Sequence, residues 1–266
     1  MSVTRYLKLL RKIIKLIRFL GWYNAAKYFV FFITGNRSEI TIETSIGVVV
    51  LRNNKSDIKV LYSSAVDEYP KLAMLITSKI DFYDFGGYTG LSAISANHFL
   101  QIDRTFIFEP ITDNYKILHK NIQNIADVHP FQFGIGTDYA EIEFLAQPGE
   151  DWGWSAFNVV DENFTKSEVI KLKPLSSIQV DNSKVNFAKF DIEGSEICVL
   201  EESNFQTLLR FDLILIEFHE SRVPGVTNRI VSALSDRYDL SKIGDEKILF
   251  SKKSSKISHT VKQISS

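Results

Sequence analysis

The sequence predicts an α/β fold: a mostly parallel sheet with helices on both faces, closed by an antiparallel pair. Three observations predict it. From Ile80 onward, short strand-like runs alternate with helix-like segments, the pattern of successive βαβ units. Acids recur at the carboxyl ends of those runs, at Asp84, Glu109, Asp191, Glu193 and Glu217. The last two runs, "YDLSKIG" and "KILFSKK", are separated only by "DE", too short for a parallel crossover, so they must pair antiparallel.

Each element follows in order. The 266 residues, 45% hydrophobic and 24% charged, are enough for a full-sized core. Formal net charge is −1, so no global field favours nucleic acid or an anionic surface. Residues 1–36 read as a helical extension. Lys8, Arg11, Lys12, Lys15 and Arg18 share one face of its first part, and Tyr6, Leu9, Leu10, Ile13, Ile17 and Leu20 share the other. The lysines and arginines interrupt the apolar residues too often for a secretory signal or a spanning helix. A basic amphipathic helix can pack on its own domain or lie on a membrane surface, and both roles stay open. An aromatic-rich helical piece follows to about Ile33, and "TGNRS" breaks it.

Residues 37–66 form a β lead-in. "EITIETSIGVVVLRN" alternates and turns at Ser45–Gly47, and "DIKVLYSS" reads as a further strand. An alternation of strands and helices then fills residues 67–252, beginning with a helix from about Asp67 to Lys79. Its strands are "IDFYDF", "RTFIFEP", "HPFQFGIG", "NFAKFDIE" and "FDLILIEFH", followed by the closing pair, with helical patterns in between. The rhythm breaks at about 137–178, where "AEIEFLAQ" and "SEVIKLKPL" mark a β insert around "PGEDWGWSAFN". Residues 253–266 read as a polar tail. The single cysteine, Cys198, cannot form an internal disulfide and reads as a small buried apolar residue.

The chemistry is expected at the carboxyl ends of the strands, where open α/β sheets bind ligands. In "YDFGGYTG", Gly86 and Gly87 allow a sharp turn with close approach, and Gly90 allows tight helix–strand packing. The spacing departs from the dinucleotide fingerprint, and Asp84 stands where a pyrophosphate would be repelled. A carboxylate there suits a cationic cofactor, an ammonium or a sulfonium. Glu109 follows at the end of the next strand, placed to accept hydrogen bonds from ribose hydroxyls. Lys189, Asp191 and Glu193 then alternate onto one face of "KFDIEGSE", costly burial unless they are paired or face a cleft. Glu217 and His219 share a face in "LILIEFHE".

Taken together, "YDFGGYTG", "IFEPITDNYKILHKNI", "FGIGTDYAEIEF", "KFDIEGSE" and "LILIEFHE" resemble, in order, the motifs of FkbM-type S-adenosylmethionine-dependent methyltransferases. The resemblance runs from about Asp81 to His219. It implies a class I methyltransferase (Rossmann-like), doubly wound, seven-stranded sheet whose last two strands form a hairpin. It implies that Asp84 and the Gly86–Gly90 turn approach the methionyl part of the cofactor and that Glu109 holds the ribose. It also implies O-methylation of a sugar, glycan, glycolipid or related metabolite, in polysaccharide or secondary-metabolite assembly. The family often carries an acid where Ser176 stands, and the basic extension and the tryptophan loop fall outside its motifs.

Glu193, Asp191 and His219 are the candidate proton acceptors, with Asp191 also touching the cofactor; Glu217, Trp152 and Trp154 are candidate contacts to the acceptor. No metal is assigned, although Asp191, Glu217 and His219 form an oxygen-rich set. Replacing Asp84 with alanine is expected to remove the cofactor and leave the fold largely intact. Two other readings compete: an NAD-dependent sugar-modifying enzyme, and a non-catalytic scaffold that docks on a membrane or a glycan-assembly complex. The expected location is cytoplasmic, with a peripheral membrane contact through the basic helix as the open question, and no nucleic-acid partner.

Overall fold

The computed structural model describes residues 3–35, 38–146 and 166–253. Helix α1, Val3–Thr34, is interrupted at Gly21, whose φ of 75° and ψ of 157° no helix accommodates. Strands β1 (Glu39–Thr44) and β2 (Gly47–Arg52) form the expected hairpin, with Ile42 opposite Val49. The buried side of α1, including Leu20 and Phe31, closes over this hairpin.

The strand expected at "DIKVLYSS" is a helix, α2, Lys55–Tyr62. Two local facts decide it. The Asn54 side chain accepts from the amides of Ser56 and Asp57, a favourable N-cap. Ile58, Leu61 and Ala65 then fall on one helical face, where all three pack into the cluster beneath α1. The chain continues through a π-helical turn, Ser63–Glu68, directly into α3, Tyr69–Leu75. The unit boundary expected at residue 67 therefore falls inside a continuous helical run, and α3 ends four residues earlier than the Lys79 expected of it.

From there the alternation holds: β3 (Ile80–Phe85), α4 (Leu91–Phe99), β4 (Ile102–Phe108), α5 (Thr112–Ile122) and β5 (Val128–Phe131). The expected strand "HPFQFGIG" divides. Its first half is β5 of the main sheet, and its second, β6 (Gly134–Gly136), joins β7 (Ala140–Ala146) and β8 (Lys166–Pro174) in a separate three-stranded sheet, the β insert. A Cβ on Gly134 would sit 2.9 Å from the Leu172 side chain, so only glycine lets β6 lie this close to β8.

The chain then returns through β9 (Asn186–Phe190), a 3₁₀ turn at Ser195–Leu200, α6 (Glu202–Leu208), β10 (Leu213–Glu217), α7 (Val226–Leu234), β11 (Tyr238–Lys242) and β12 (Lys247–Lys252). The main sheet has seven strands in the order β5-β4-β3-β9-β10-β12-β11, and only β12 runs against the others. Strand order reverses between β3 and β9, the switch point at which such sheets open a crevice.

One row of side chains sets the level of that crevice. Phe131, Phe108, Phe85 and Phe190 lie opposite one another on β5, β4, β3 and β9, and Ile216 of β10 completes the row. Neighbouring rings stack with centroids 5.1, 4.6 and 4.7 Å apart. The next residue on each of the four inner strands is Glu109, Gly86, Asp191 or Glu217, and the ladder continues through Gly86 N to Phe108 O and Asp191 N to Phe85 O, both 3.0 Å.

Gly86 itself has a φ of +85°, and a Cβ there would sit 1.9 Å from the Asp191 carbonyl oxygen. Gly86→Ala is thus expected to lower the unfolding free energy by more than about 2 kcal/mol, through both strain and a backbone clash. Urea titration of the purified variant measures it.

Candidate active site

The floor of the crevice is a buried ion-pair chain. Asp84 on β3 lies opposite Lys189 on β9, and the Lys189 ammonium sits 3.5 Å from Asp84 and 3.2 Å from Asp191. Although burial opposes its charge, the two carboxylates hold the Lys189 ammonium well above the ordinary lysine range. Burial pushes the Asp84 carboxyl up to about 6. Asp191 is also desolvated, yet Lys189, Lys247 and His219 hold it well below the usual carboxylate range. Asp84 is fully enclosed and does not line the cleft. It lies beneath the first turn, and its influence on anything bound above passes through Lys189.

The first turn is bonded inward. Gly86 N and Gly87 N both donate to the Phe108 carbonyl, at 3.0 and 2.9 Å, and Gly90 N donates to Gly87 O at 2.8 Å. Tyr88, with a positive φ of 49°, donates its amide to Glu109 Oε2 at 2.9 Å. Glu109 also accepts from Ile111 N at 2.9 Å and from the Asn114 side chain at 3.1 Å, so it starts α5 and lines the cleft at once. Burial raises its carboxyl to about 7. Behind the turn, the Tyr88 hydroxyl donates to buried Asp57 at 2.8 Å, and Arg52 bridges Asp57 to Asn114. The hairpin and α2 thereby hold the turn and Glu109 in place.

The far wall carries the remaining acids. Glu193 adopts a φ of 54° and Gly194 one of 99°, a backbone conformation rare for glutamate and of the kind that clusters at functional sites. Arg222 Nη2 lies 3.0 Å from Glu193 Oε2 and His219 Nε2 3.5 Å from it. Burial and the nearby Asp191 charge raise the Glu193 carboxyl to about 7. Burial alone would lower His219. Its Nδ1 contact with Glu196 at 2.7 Å, with the charges of Glu193 and Asp191, outweighs that and raises the imidazole to about 9. His219 is therefore an imidazolium at neutral pH, and the proton-accepting role expected of it does not fit. Asp191, already paired and weakly basic, does not fit that role either. Glu217, raised to about 7 by burial and by Asp191, sits 2.8 Å from Lys247, which also bonds to Glu68.

The cleft encloses about 250 Å³. Five carboxylates line it (Glu68, Glu109, Asp191, Glu193 and Glu217) against three lysines, Lys59, Lys189 and Lys247. The structure thus brings every strand-end acid expected from the sequence to one place, except that Asp84 lies below the surface. Gly86 and Gly87 line the cleft, whereas Gly90 packs behind it, its Cβ position 3.1 Å from Ile122. Trp152 and Trp154 lie outside the described residues. Sequence reading missed Arg52, Asp57, Glu68 and Lys247, because each reaches the site from an element distant in the chain, and it assigned no role to Glu196 or Arg222, which lie three residues after Glu193 and His219. Ligand atoms of Asp191, Glu217 and His219 fall within 4.8 Å of one another, and Lys189 and Lys247 already pair with its two carboxylates.

A switch-point crevice with an acid after the second strand, on a sheet in this order with a reversed last strand, defines the class I methyltransferase fold. Residues 87–240 match the methyltransferase FkbM domain. The chain belongs to the FkbM methyltransferase family. Among solved structures it is similar to the FkbM methyltransferase of Methylobacillus flagellatus KT (17% identity, TM-score 0.47, covering 71% of this chain and 49% of that one). It is also similar to M. jannaschii TYW2 in complex with AdoMet (11%, 0.45, 82% and 87%). A third is an rRNA methylase of Streptococcus thermophilus (9%, 0.42, 69% and 93%). The chain spans about half the length of the M. flagellatus protein. A search of curated proteins finds no match.

The cofactor of the family is S-adenosylmethionine, and the residues fit it. Glu109 has two oxygens and about four acceptor positions, of which three are taken by Tyr88, Ile111 and Asn114, leaving capacity for a ribose hydroxyl. Glu68 Oε1 and Asp84 Oδ2 are buried acceptors with no hydrogen bond among the described residues, and Glu68 lines the cleft where an ammonium could reach it. The excess of carboxylates favours a cationic ligand.

Asp84→Ala leaves Lys189 buried with half its partners, so it is expected to cost stability as well as cofactor affinity, about 3 kcal/mol, with Asp84→Asn costing less. This corrects the expectation of an intact fold, and urea unfolding of the two variants checks it.

Asp84, Glu109, Glu193, Glu217 and His219 all bind protons more tightly folded than unfolded, with values from about 6 to about 9. Stability from each is complete below its unfolded value and is lost as pH rises through its folded one. Unfolding free energy is therefore expected to fall between about pH 4, where the carboxyls ordinarily titrate, and about pH 9, where folded His219 loses its proton. A flat or rising profile in chemical denaturation would contradict these surroundings.

Proposed function

We propose that this chain is an S-adenosylmethionine-dependent O-methyltransferase acting on a hydroxyl of a sugar, glycan, glycolipid or related metabolite, with Glu193 as the proton acceptor. The observation that carries the cofactor half is the inward bonding of the first turn. A dinucleotide needs free amides for its pyrophosphate, and those of Gly86 and Gly87 are committed to Phe108 while that of Tyr88 is committed to Glu109. The NAD-dependent alternative loses these three amides as donors to a pyrophosphate, and the five acids around the cleft add repulsion.

The bound cofactor supplies a methyl group on a positively charged sulfur that departs as a neutral thioether. The chain's residues do the rest. Glu109 holds hydroxyl groups at one end of the cleft. Ile170 and Leu172 of β8 and Ile111 form an apolar wall that keeps water from the reacting atoms. A hydroxyl is a weak nucleophile, so a base that takes its proton as the O–C bond forms contributes about 10²–10⁴-fold. Glu193, near 7, is matched to this task, whereas Asp191 is too acidic and His219 already carries a proton. Arg222 and His219 orient the Glu193 carboxylate. The net change is one C–S bond broken, one C–O bond formed and one proton moved to Glu193.

A base must be ionised to act, so turnover is expected to rise with pH through about 7. Glu193→Gln is expected to lose this limb and about 10²-fold or more in kcat, with cofactor affinity within a few-fold of the parent. The measurement is transfer of a labelled methyl group from S-adenosylmethionine to fractionated glycans and lipids, then identification of the labelled product. An unchanged pH profile in Glu193→Gln would remove Glu193 from the mechanism. Binding of S-adenosylhomocysteine with no labelled product in any fraction would favour the scaffold reading.

A further inference from the structure

The helix that covers the hairpin is apolar on two sides. Leu20, Tyr28 and Phe31 face inward to the β1–β2 cluster. After the break at Gly21, Trp22, Ala26, Phe29, Val30 and Ile33 recur at helical spacing on the opposite side, with Tyr23 beside them. Trp22 is 80% exposed, Phe29 64%, Val30 58% and Ile33 64%. An amphipathic surface helix shows one apolar stripe, and a contiguous exposed one marks an interaction site.

Charge selects the partner. The helix contains Arg5, Lys8, Arg11, Lys12, Lys15, Arg18 and Lys27 and no acidic residue, in a chain whose net charge is −1. Lys27 donates to the Thr41 carbonyl, anchoring the helix to the hairpin, and Lys15 lies 3.8 Å from exposed Asp67. Pairing two copies through this helix would set its cations against their own kind. An anionic lipid surface meets both features: a helix that concentrates cations and holds no acid, and an exposed stripe that offers tryptophan and tyrosine to the headgroup level with phenylalanine and isoleucine below. No described helix is long and apolar enough to cross a membrane, so the geometry is that of lying on the surface.

We propose that α1 docks the protein on anionic membranes, with Trp22, Phe29, Val30 and Ile33 as the inserted face. The docked helix is tied to the cleft. The Tyr28 hydroxyl donates to the carbonyl of Asn54, which caps α2, and Ser56 and Lys59 of α2 line the cleft. Docking stands independently of the methyl-transfer reading.

The test is flotation of the full chain with phosphatidylcholine vesicles, with and without phosphatidylglycerol. The protein is expected to float with the anionic vesicles. Trp22→Ser/Phe29→Ser/Ile33→Ser, all at exposed positions, is expected to partition at least about tenfold more weakly with an unchanged circular dichroism spectrum. Arg18→Glu, at an exposed position, is expected to weaken the preference for anionic lipid. The proposal is overturned if the parent does not float, or if the triple variant floats as well as the parent. It is also overturned if the parent is a dimer that the triple variant dissolves while neither form binds vesicles.

Discussion

The feature on which the site depends is a row of side chains in register across five strands. Phe131 at the exposed edge, then Phe108, Phe85, Phe190 and Ile216 inward, lie opposite one another across the sheet, and the aromatic members stack at about the optimal offset distance. A slip of one residue in β4, β3 or β9 would turn its buried ring out of the core and carry its acid to the wrong face. Hydrophobic register and polar chemistry are therefore the same constraint. On β4, β3 and β9 the residue after the ring is the one that reaches the cleft, and at β3 that residue is glycine because the backbone carbonyl of Asp191, just beyond β9, stands against it.

Above this row the electrostatics are held close to balance without reaching it. Burying Asp84, Lys189 and Asp191 together is tolerable only because each neutralises another. Lys247 plays the same part for Glu68 and Glu217, and Arg222 and His219 do so for Glu193. What remains is an excess of carboxylates whose protons are held more tightly than in water, together with buried acceptor oxygens on Asp84 and Glu68 that no described group satisfies. Such an enclosure favours a cation. It disfavours a diphosphate twice over, by charge and by the inward bonding of the turn amides.

Much of this was legible in the sequence because parallel strands and their crossover helices carry strong local signals. The strand-end acids stood out because a central strand has little reason to hold them otherwise. The failures have equally local causes. "DIKVLYSS" alternates well enough for a strand, but the Asn54 cap and the packing of Ile58, Leu61 and Ala65 beneath α1 favour a helix. "HPFQFGIG" looks continuous, and only the approach of Leu172 to Gly134, from a strand far along the chain, shows where it divides. Glu68 and Lys247 could not be joined to the site by spacing, since each arrives on a distant element, whereas Arg222 is only three residues beyond His219 and is brought to Glu193 by the turn between them. The basic helix was read by its charges, whereas the exposed apolar stripe lies in its second half, beyond the break at Gly21.

The central claim is that this cleft is built for an adenosine bearing a cationic amino-acid chain and not for a dinucleotide. Calorimetric titration of the full chain with S-adenosylhomocysteine and, separately, with NAD tests it most directly. Saturable one-site binding of S-adenosylhomocysteine, with no heat from NAD, is the predicted result. Binding of NAD with none of S-adenosylhomocysteine would contradict the account.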